Sequence, residues 1–204
     1  MEHCSENRAA SVKGHYQYHL RIVGNVGVGK STLTRRIKED TFSNDYNYDR
    51  HVVCDWLRTK VETETAIITL LHCDTAGQER FGRLHASFYQ RVHCAYVVFD
   101  LTNLSSLESA ADWLNDVSEY APLAVRCLVG TKCDLQPGRI DPMGAASLAK
   151  DFGARYFEVS AASGENVNEL LAAIATETLS NVKGDSGPDI KGAGFGVRTR
   201  ARCY

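Results

Sequence analysis

The chain has 204 residues, 44% of them hydrophobic and 24% charged, which suits one packed domain with tails. A formal net charge of −2 gives no general attraction to nucleic acid, so none is expected as a partner. The seven cysteines are odd in number and irregularly spaced, which fits neither a disulfide framework nor zinc ligation and points to a reducing, cytoplasmic setting. No stretch reads as a signal peptide or a long apolar span, and Met1-Glu2 does not fit the myristoylation pattern.

Residues 1–16 are polar and aperiodic and are predicted to be a flexible extension. Residues 18–23 read as a first strand. They run into Gly24-Asn25-Val26-Gly27-Val28-Gly29-Lys30-Ser31, the pattern G-x-x-x-x-G-K-[ST], and Thr32 opens a helix-compatible run to residue 40. Glycines at those positions let successive N–H groups face one anion, and the following helix adds its positive end. Lys30 is then expected to reach the outer phosphates of a nucleotide, and the Ser31 hydroxyl to bind Mg²⁺.

Residues 42–53, rich in Asn, Asp and Tyr, read as a loop. Residues 54–61 and 66–73 read as two strands joined by the turn Glu62-Thr63-Glu64-Thr65. Residues 74–83 read as a loop entering a helix near Phe88, residues 94–101 as a buried strand, and residues 105–120 as a helix with Leu107, Ala110, Ala111 and Leu114 on one face. Residues 124–129 form a further strand, Pro142 starts a helix that Gly153 ends, and residues 156–159 and 167–179 are the last strand and helix. Strands alternating with helices predict an α/β fold with a mostly parallel sheet, and the hairpin predicts one antiparallel edge strand. From residue 181 onward Gly, Pro and charge dominate, which predicts a flexible tail and sets the domain at residues 17–180.

Ligands in open α/β sheets bind beyond the carboxyl ends of strands, so the residues that follow each strand carry the chemistry. Asp74 ends the third strand and suits Mg²⁺. Gly77 lets a backbone N–H approach a terminal phosphate, and Gln78 is placed to orient an attacking water. His72-Cys73 and His93-Cys94 do not read as metal ligands, because neighbouring residues of a strand point to opposite faces.

The run DTAGQERF at residues 74–81, Thr131-Lys132-Cys133-Asp134, and Glu158 to Ala161 with Asn166-Val167 together resemble the small GTPases, and within them the Rab family. The resemblance covers residues 18–179. It implies a P-loop NTPase G domain with a six-stranded sheet and helices on both faces. It also implies GTP or GDP as ligand with Mg²⁺. The Asp134 carboxylate would accept both donors of the guanine edge, a pair that adenine lacks. The Lys132 stem would cover the base, the Ala161 N–H would bond its carbonyl, and Ser160 and Ala162 would shape that loop. Phe42 matches an aromatic that packs on the base, with a place in the core as the alternative, and Tyr46 matches a switch-loop tyrosine.

The chain departs from this pattern at five places. Val26 stands where the Ras-like proteins carry Gly and the Rab proteins mostly Ser. It faces the terminal phosphate, where a stiff β-branched side chain would crowd Gln78 and an incoming arginine finger. No Thr follows Tyr46 at the usual switch position, which falls on Asp49 or His51 according to the direction of counting. Thr131 replaces the usual Asn, as it often does in Rho-family proteins, and the lost amide is expected to weaken a tie to the P-loop. The aromatic effector surface maps to Trp56, Cys73 and Tyr89, with Cys73 in place of a Trp. The tail carries one penultimate cysteine, Cys203, beside Arg198, Arg200 and Arg202, where two terminal cysteines are usual.

The resemblance implies a guanine-nucleotide switch that hydrolyses GTP through Gln78 and Lys30, slowly because of Val26, and recruits effectors in vesicle or membrane traffic. Effectors would dock on residues 46–56 and 78–89. An exchange factor, a GTPase-activating protein and reversible membrane association through the tail, on the cytoplasmic face of endomembranes, are further expected partners and settings. Two rivals are a nucleotide-locked scaffold and an adenine-nucleotide enzyme.

Overall fold

A computed structural model describes residues 13–40, 56–74, 84–135 and 140–182 of the chain. Six strands form one sheet in the order β2-β3-β1-β4-β5-β6. They are β1 (Gly14–Val23), β2 (Trp56–Glu62), β3 (Ala66–Asp74), β4 (Cys94–Asp100), β5 (Val125–Thr131) and β6 (Arg155–Glu158). All neighbouring pairs are parallel except the edge pair β2–β3, which is antiparallel. The helices are α1 (Lys30–Glu39), α2 (Leu104–Tyr120), α3 (Pro142–Asp151) and α4 (Val167–Val182), with a 3-10 turn at Ala86–Tyr89. The α/β architecture, the six strands and the single antiparallel edge agree with the sequence reading.

The apolar pattern explains the layers. Every residue of β4 is buried, so helices cover the sheet on both sides at its centre. On one face Leu20, Ile22, Ile68, Tyr96 and Val129 pack with Leu33 of α1 and Leu170 and Ile174 of α4. On the other Val97, Phe99 and Leu128 pack with Leu107 and Leu114 of α2 and Ala145 and Ala149 of α3. Local chemistry starts and stops the helices. Asn103 accepts from Ser105 N at the head of α2, and Asp141 accepts from Met143 N just before Pro142 opens α3. Gly153, at φ 59°, turns the chain out of α3. Thr63 closes the β2–β3 turn by bonding Ala66 in both directions.

β1 is longer than expected. It starts at Gly14 rather than Tyr18, and Gly14 to Gln17 continue the register against Ala66 to Thr69 of β3. Gly14, His15 and Tyr16 therefore belong to the sheet, not to an extension. Their polar composition hides the strand: His15 and Tyr16 are exposed, and the ring of Tyr16 stacks on that of Tyr18. The short helix expected near Phe88 is the 3-10 turn.

The core also holds a polar residue. His72 of β3 is fully buried on the α1–α4 face, its ring edge-on to Tyr96 with centroids 6.5 Å apart. Neither ring nitrogen finds a hydrogen-bond partner among the described residues, and burial pulls its pKa down to about 3.

Candidate functional site at the carboxyl ends of the strands

The loop after β1 lies where the crossovers diverge, α1 passing to one face of the sheet and α2 to the other, which is where α/β sheets open a crevice. Gly24 opens it at φ 141°, and a Cβ there would lie 2.1 Å from the Val98 carbonyl oxygen, so no other residue fits. Gly29, at φ 98°, precedes α1, and no side chain caps that helix. The backbone N–H groups from Val26 to Gly29 make no hydrogen bond to another described residue. Together with the uncapped first turn of α1, which carries no acidic residue, they form a cradle for an anion.

Lys30 is 5% exposed, and its Nζ donates to the carbonyls of Gly24 at 2.9 Å and Asn25 at 2.7 Å. The ammonium is thus held inside the curl of the loop. Asn25 is held from the other side, its Oδ1 accepting from Trp113 Nε1 of α2 at 2.9 Å. Val28 is buried, whereas Val26 points outward and is 49% exposed. Ser31 and Thr32 follow in the first turn of α1, both half-buried. Asp74 ends β3 opposite Ile22 in register, two positions before Gly24 on the neighbouring strand.

The loop after β5 closes on this cradle. Thr131 Oγ1 lies 2.5 Å from Val28 O and 3.0 Å from Phe99 O. A hydroxyl has one proton, and the shorter distance gives it to Val28. In place of an amide, the Thr131 hydroxyl makes the tie to the P-loop directly, its side chain lying beneath Gly29. Lys132 adopts a left-handed φ of 63° and sends Nζ to Asp100 Oδ2 at 2.5 Å, with Gly27 O at 3.5 Å. Burial alone would raise the Asp100 pKa, but hydrogen bonds from Lys132 and Thr102 outweigh it and hold the carboxyl below its usual range. Asp134, two residues on, is exposed, and its carboxylate takes no hydrogen bond from the described residues.

In the loop after β6, Ser160 Oγ accepts from the N–H groups of Ala162 and Ser163 at 3.1 and 3.0 Å. The N–H groups of Ser160, Gly164 and Glu165 are also used inside the loop. That of Ala161 is not. Arg36 of α1 holds the loop from below, donating through Nε to Ala161 O at 2.6 Å and through Nη2 to Ala162 O at 2.5 Å.

The structure thus brings Gly24 to Thr32, Thr131, Lys132, Asp134, Ser160, Ala161 and Ala162 to one edge of the sheet. Phe42, Tyr46, Asp49, His51, Gly77, Gln78 and the tail with Cys203 lie outside the described residues. Two surface expectations are corrected. Tyr89 is 1% exposed, its ring stacked on Tyr120 and edge-on to Phe88. Cys73 is 3% exposed, on the sheet face it shares with Arg21. Phe88 beside it is half-buried against the same core cluster, with the Arg21 guanidinium 5.0 Å over its ring. Three contributors escaped the sequence reading. Asp100 ends a strand and was open to the same strand-end reasoning as Asp74. Arg36 and Trp113 sit within helices and carry no local signal.

Among the described residues no three His, Cys, Asp or Glu side chains converge as a metal site. A lone hydroxyl such as Ser31 beside phosphate oxygens is nonetheless the type of shell Mg²⁺ takes with nucleotides, since that ion keeps most of its water and rarely uses an all-protein cage. No helix among the described residues is long and apolar enough to cross a membrane.

The family model described as the Ras family matches residues 19–180. Among curated proteins, the chain is 35% identical to the Ras-related protein Rab-13 of Canis lupus familiaris over 164 residues, covering 79% of this chain and 80% of that one. It is 35% identical to the Ras-related protein RABD2c of Arabidopsis thaliana over 179 residues, 85% and 88% of the two chains. It is 34% identical to the GTP-binding protein YPTM1 of Zea mays over 162 residues, 78% and 77% of the two chains.

Proposed function

The chain belongs to the Ras family as a divergent, Rab-like member, and from that premise we propose that it is a guanine-nucleotide switch with GTPase activity. The observation that carries this reading is the pairing of two sets of unspent backbone donors at one sheet edge. The N–H groups from Val26 to Gly29 suit phosphates, and the Ala161 N–H suits a base carbonyl. Asp134, exposed beside them, supplies the acceptor for a base edge with two donors. An adenine base offers neither that carbonyl nor that donor pair, and polar mismatches of this kind discriminate most strongly.

When bound, Mg²⁺ supplies charge neutralisation between the outer phosphates, and Ser31 with Asp74 are the residues that would hold it. Lys30 turns from the carbonyls of Gly24 and Asn25 toward the phosphates, and Gln78 orients the attacking water. Hydrolysis is slow, because Val26 crowds that space. The GTP-bound form recruits effectors in vesicle traffic, through residues 46–56 and 78–88 with Phe88 in place of Tyr89. The arginines beside Cys203 add affinity for anionic membrane, about 1 kcal/mol for each at the surface.

Purified protein, denatured and chromatographed, should release GDP or GTP. Fluorescent GDP should bind at least 100-fold more tightly than fluorescent ADP, and chelating Mg²⁺ should speed its release. Release of an adenine nucleotide instead would overturn the reading. Val26 also favours a second reading, a nucleotide-locked scaffold. Partner binding that is equal with GDP and with a non-hydrolysable GTP analogue would select it.

A further inference from the structure

Arg36 contacts neither the P-loop nor the base edge, yet it spans the two halves of the site. It lies six residues after Lys30 on the same helix, about 9 Å along the axis at ~1.5 Å per residue. Its guanidinium is nearly enclosed, with 12% of the side chain exposed. Two of its nitrogens take the successive carbonyls of Ala161 and Ala162, and Nη1 takes Asp40 O at 2.9 Å. Asp40, at φ 52°, is the residue that ends α1, and its own N–H returns to Arg36 O.

Turning both carbonyls toward α1 fixes the orientation of the peptides on either side of Ala162. Ser160 Oγ holds the N–H groups of Ala162 and Ser163, and the Ala161 N–H makes no hydrogen bond to the described residues. One rigid helix therefore carries the phosphate cradle at its start and anchors the base loop two turns later. The fork geometry of a guanidinium suits adjacent carbonyls in a way an ammonium cannot match.

We infer that Arg36 is a positioning residue for base recognition: it pins the two peptides that follow Ala161, while Ser160 O, in the peptide that carries the Ala161 N–H, accepts from Gly164 N–H at 2.9 Å, and so it holds that N–H in place for the carbonyl of the base at a fixed distance from the phosphates. The inference rests on the guanine-nucleotide reading above and assigns to Arg36 no contact with the nucleotide.

The test compares release of GDP with release of 6-thio-GDP, in which sulfur, a weaker acceptor, replaces the base carbonyl oxygen. Wild type should release the thio analogue roughly tenfold faster, the value of one well-made hydrogen bond. In Arg36→Ala, GDP release should accelerate about tenfold and the ratio between the two nucleotides should fall toward 1. Arg36→Lys, which keeps the charge and the packing of the stem, should fall between the two and covers the case in which the alanine variant folds poorly. An unchanged thio/GDP ratio in both variants, whatever their overall release rates, would reduce Arg36 to a structural residue and overturn the inference alone. Failure of the wild type to bind GDP would overturn the guanine-nucleotide reading and this inference with it.

Discussion

Thr131 Oγ1 lies 2.5 Å from Val28 O, so the base loop and the phosphate loop are joined by a side chain buried to 2% exposure. The same oxygen lies 3.0 Å from Phe99 O, a carbonyl of the β4–β5 ladder, so its single proton serves Val28 O. Thr131→Val keeps the shape and strands the Val28 carbonyl. It should destabilise the fold by about 1–3 kcal/mol, the usual cost of burying an unpaired acceptor, and speed GDP release. Thr131→Ser keeps the hydroxyl and should recover most of the release rate. Chemical denaturation and fluorescent-nucleotide release, run on both variants, check this. Equal behaviour of Val and Ser would show that the hydroxyl is idle.

Lys132 and Asp100 form the second brace of the base loop. The Asp100 carboxyl is held below its usual range by the hydrogen bonds from Lys132 and Thr102, which outweigh its burial. A depressed carboxyl pKa gives stability that is present above the unfolded value of about 3.8 and is lost as the pH falls through the folded one. Asp100→Asn should therefore lower stability near neutrality and flatten the acid limb below about pH 4, while nucleotide release speeds because Lys132 loses its partner. A variant that unfolds along the same pH profile as wild type would contradict the assignment.

The parts of this molecule that were legible from the sequence are those whose physics is local. A buried parallel strand is a continuous apolar run, as in Cys94–Asp100, and a tight phosphate loop needs glycines at fixed steps, as at Gly24 and Gly29. The first half of β1 was missed because its own residues, Gly14 to Gln17, are glycine, polar or aromatic, so pairing with Ala66 to Thr69 of β3 rather than apolar periodicity decides it. Arg36 and Trp113 were missed because their partners lie 125 and 88 residues away, and an Arg or Trp on an amphipathic helix has many possible uses. Tyr89 was expected on the surface and is buried, because the 3-10 turn sets its ring against Tyr120 of α2.

Val26 is exposed in the phosphate loop, 49% accessible, while Val28, two residues on, is buried. Val26 belongs to neither hydrophobic cluster of the described residues, so replacing it should leave the fold intact. If its bulk obstructs the water and Gln78, Val26→Gly should raise single-turnover GTP hydrolysis about tenfold with little change in melting temperature. A larger gain is expected when an activating protein is present, because an arginine finger is worth ~10³–10⁵ in rate. Equal hydrolysis by both proteins would show that Val26 does not limit the rate.

His72 makes a separate, non-catalytic prediction. Its ring is buried against Tyr96, both nitrogens lack partners among the described residues, and burial pulls its pKa to about 3. The unfolded chain protonates the same histidine near 6.5, so the neutral, folded form is favoured above that value and loses ground as the pH falls. Between pH 6.5 and 3 this single residue should cost about 1.4 kcal/mol per pH unit. His72→Leu removes the titration and fills the same space with an apolar side chain, so it should be more stable than wild type at every pH. The gap should widen by about 2 kcal/mol between pH 7 and pH 5. Urea denaturation at those two pH values measures it directly. A constant gap would mean that His72 keeps a proton partner in the folded state and does not titrate on unfolding.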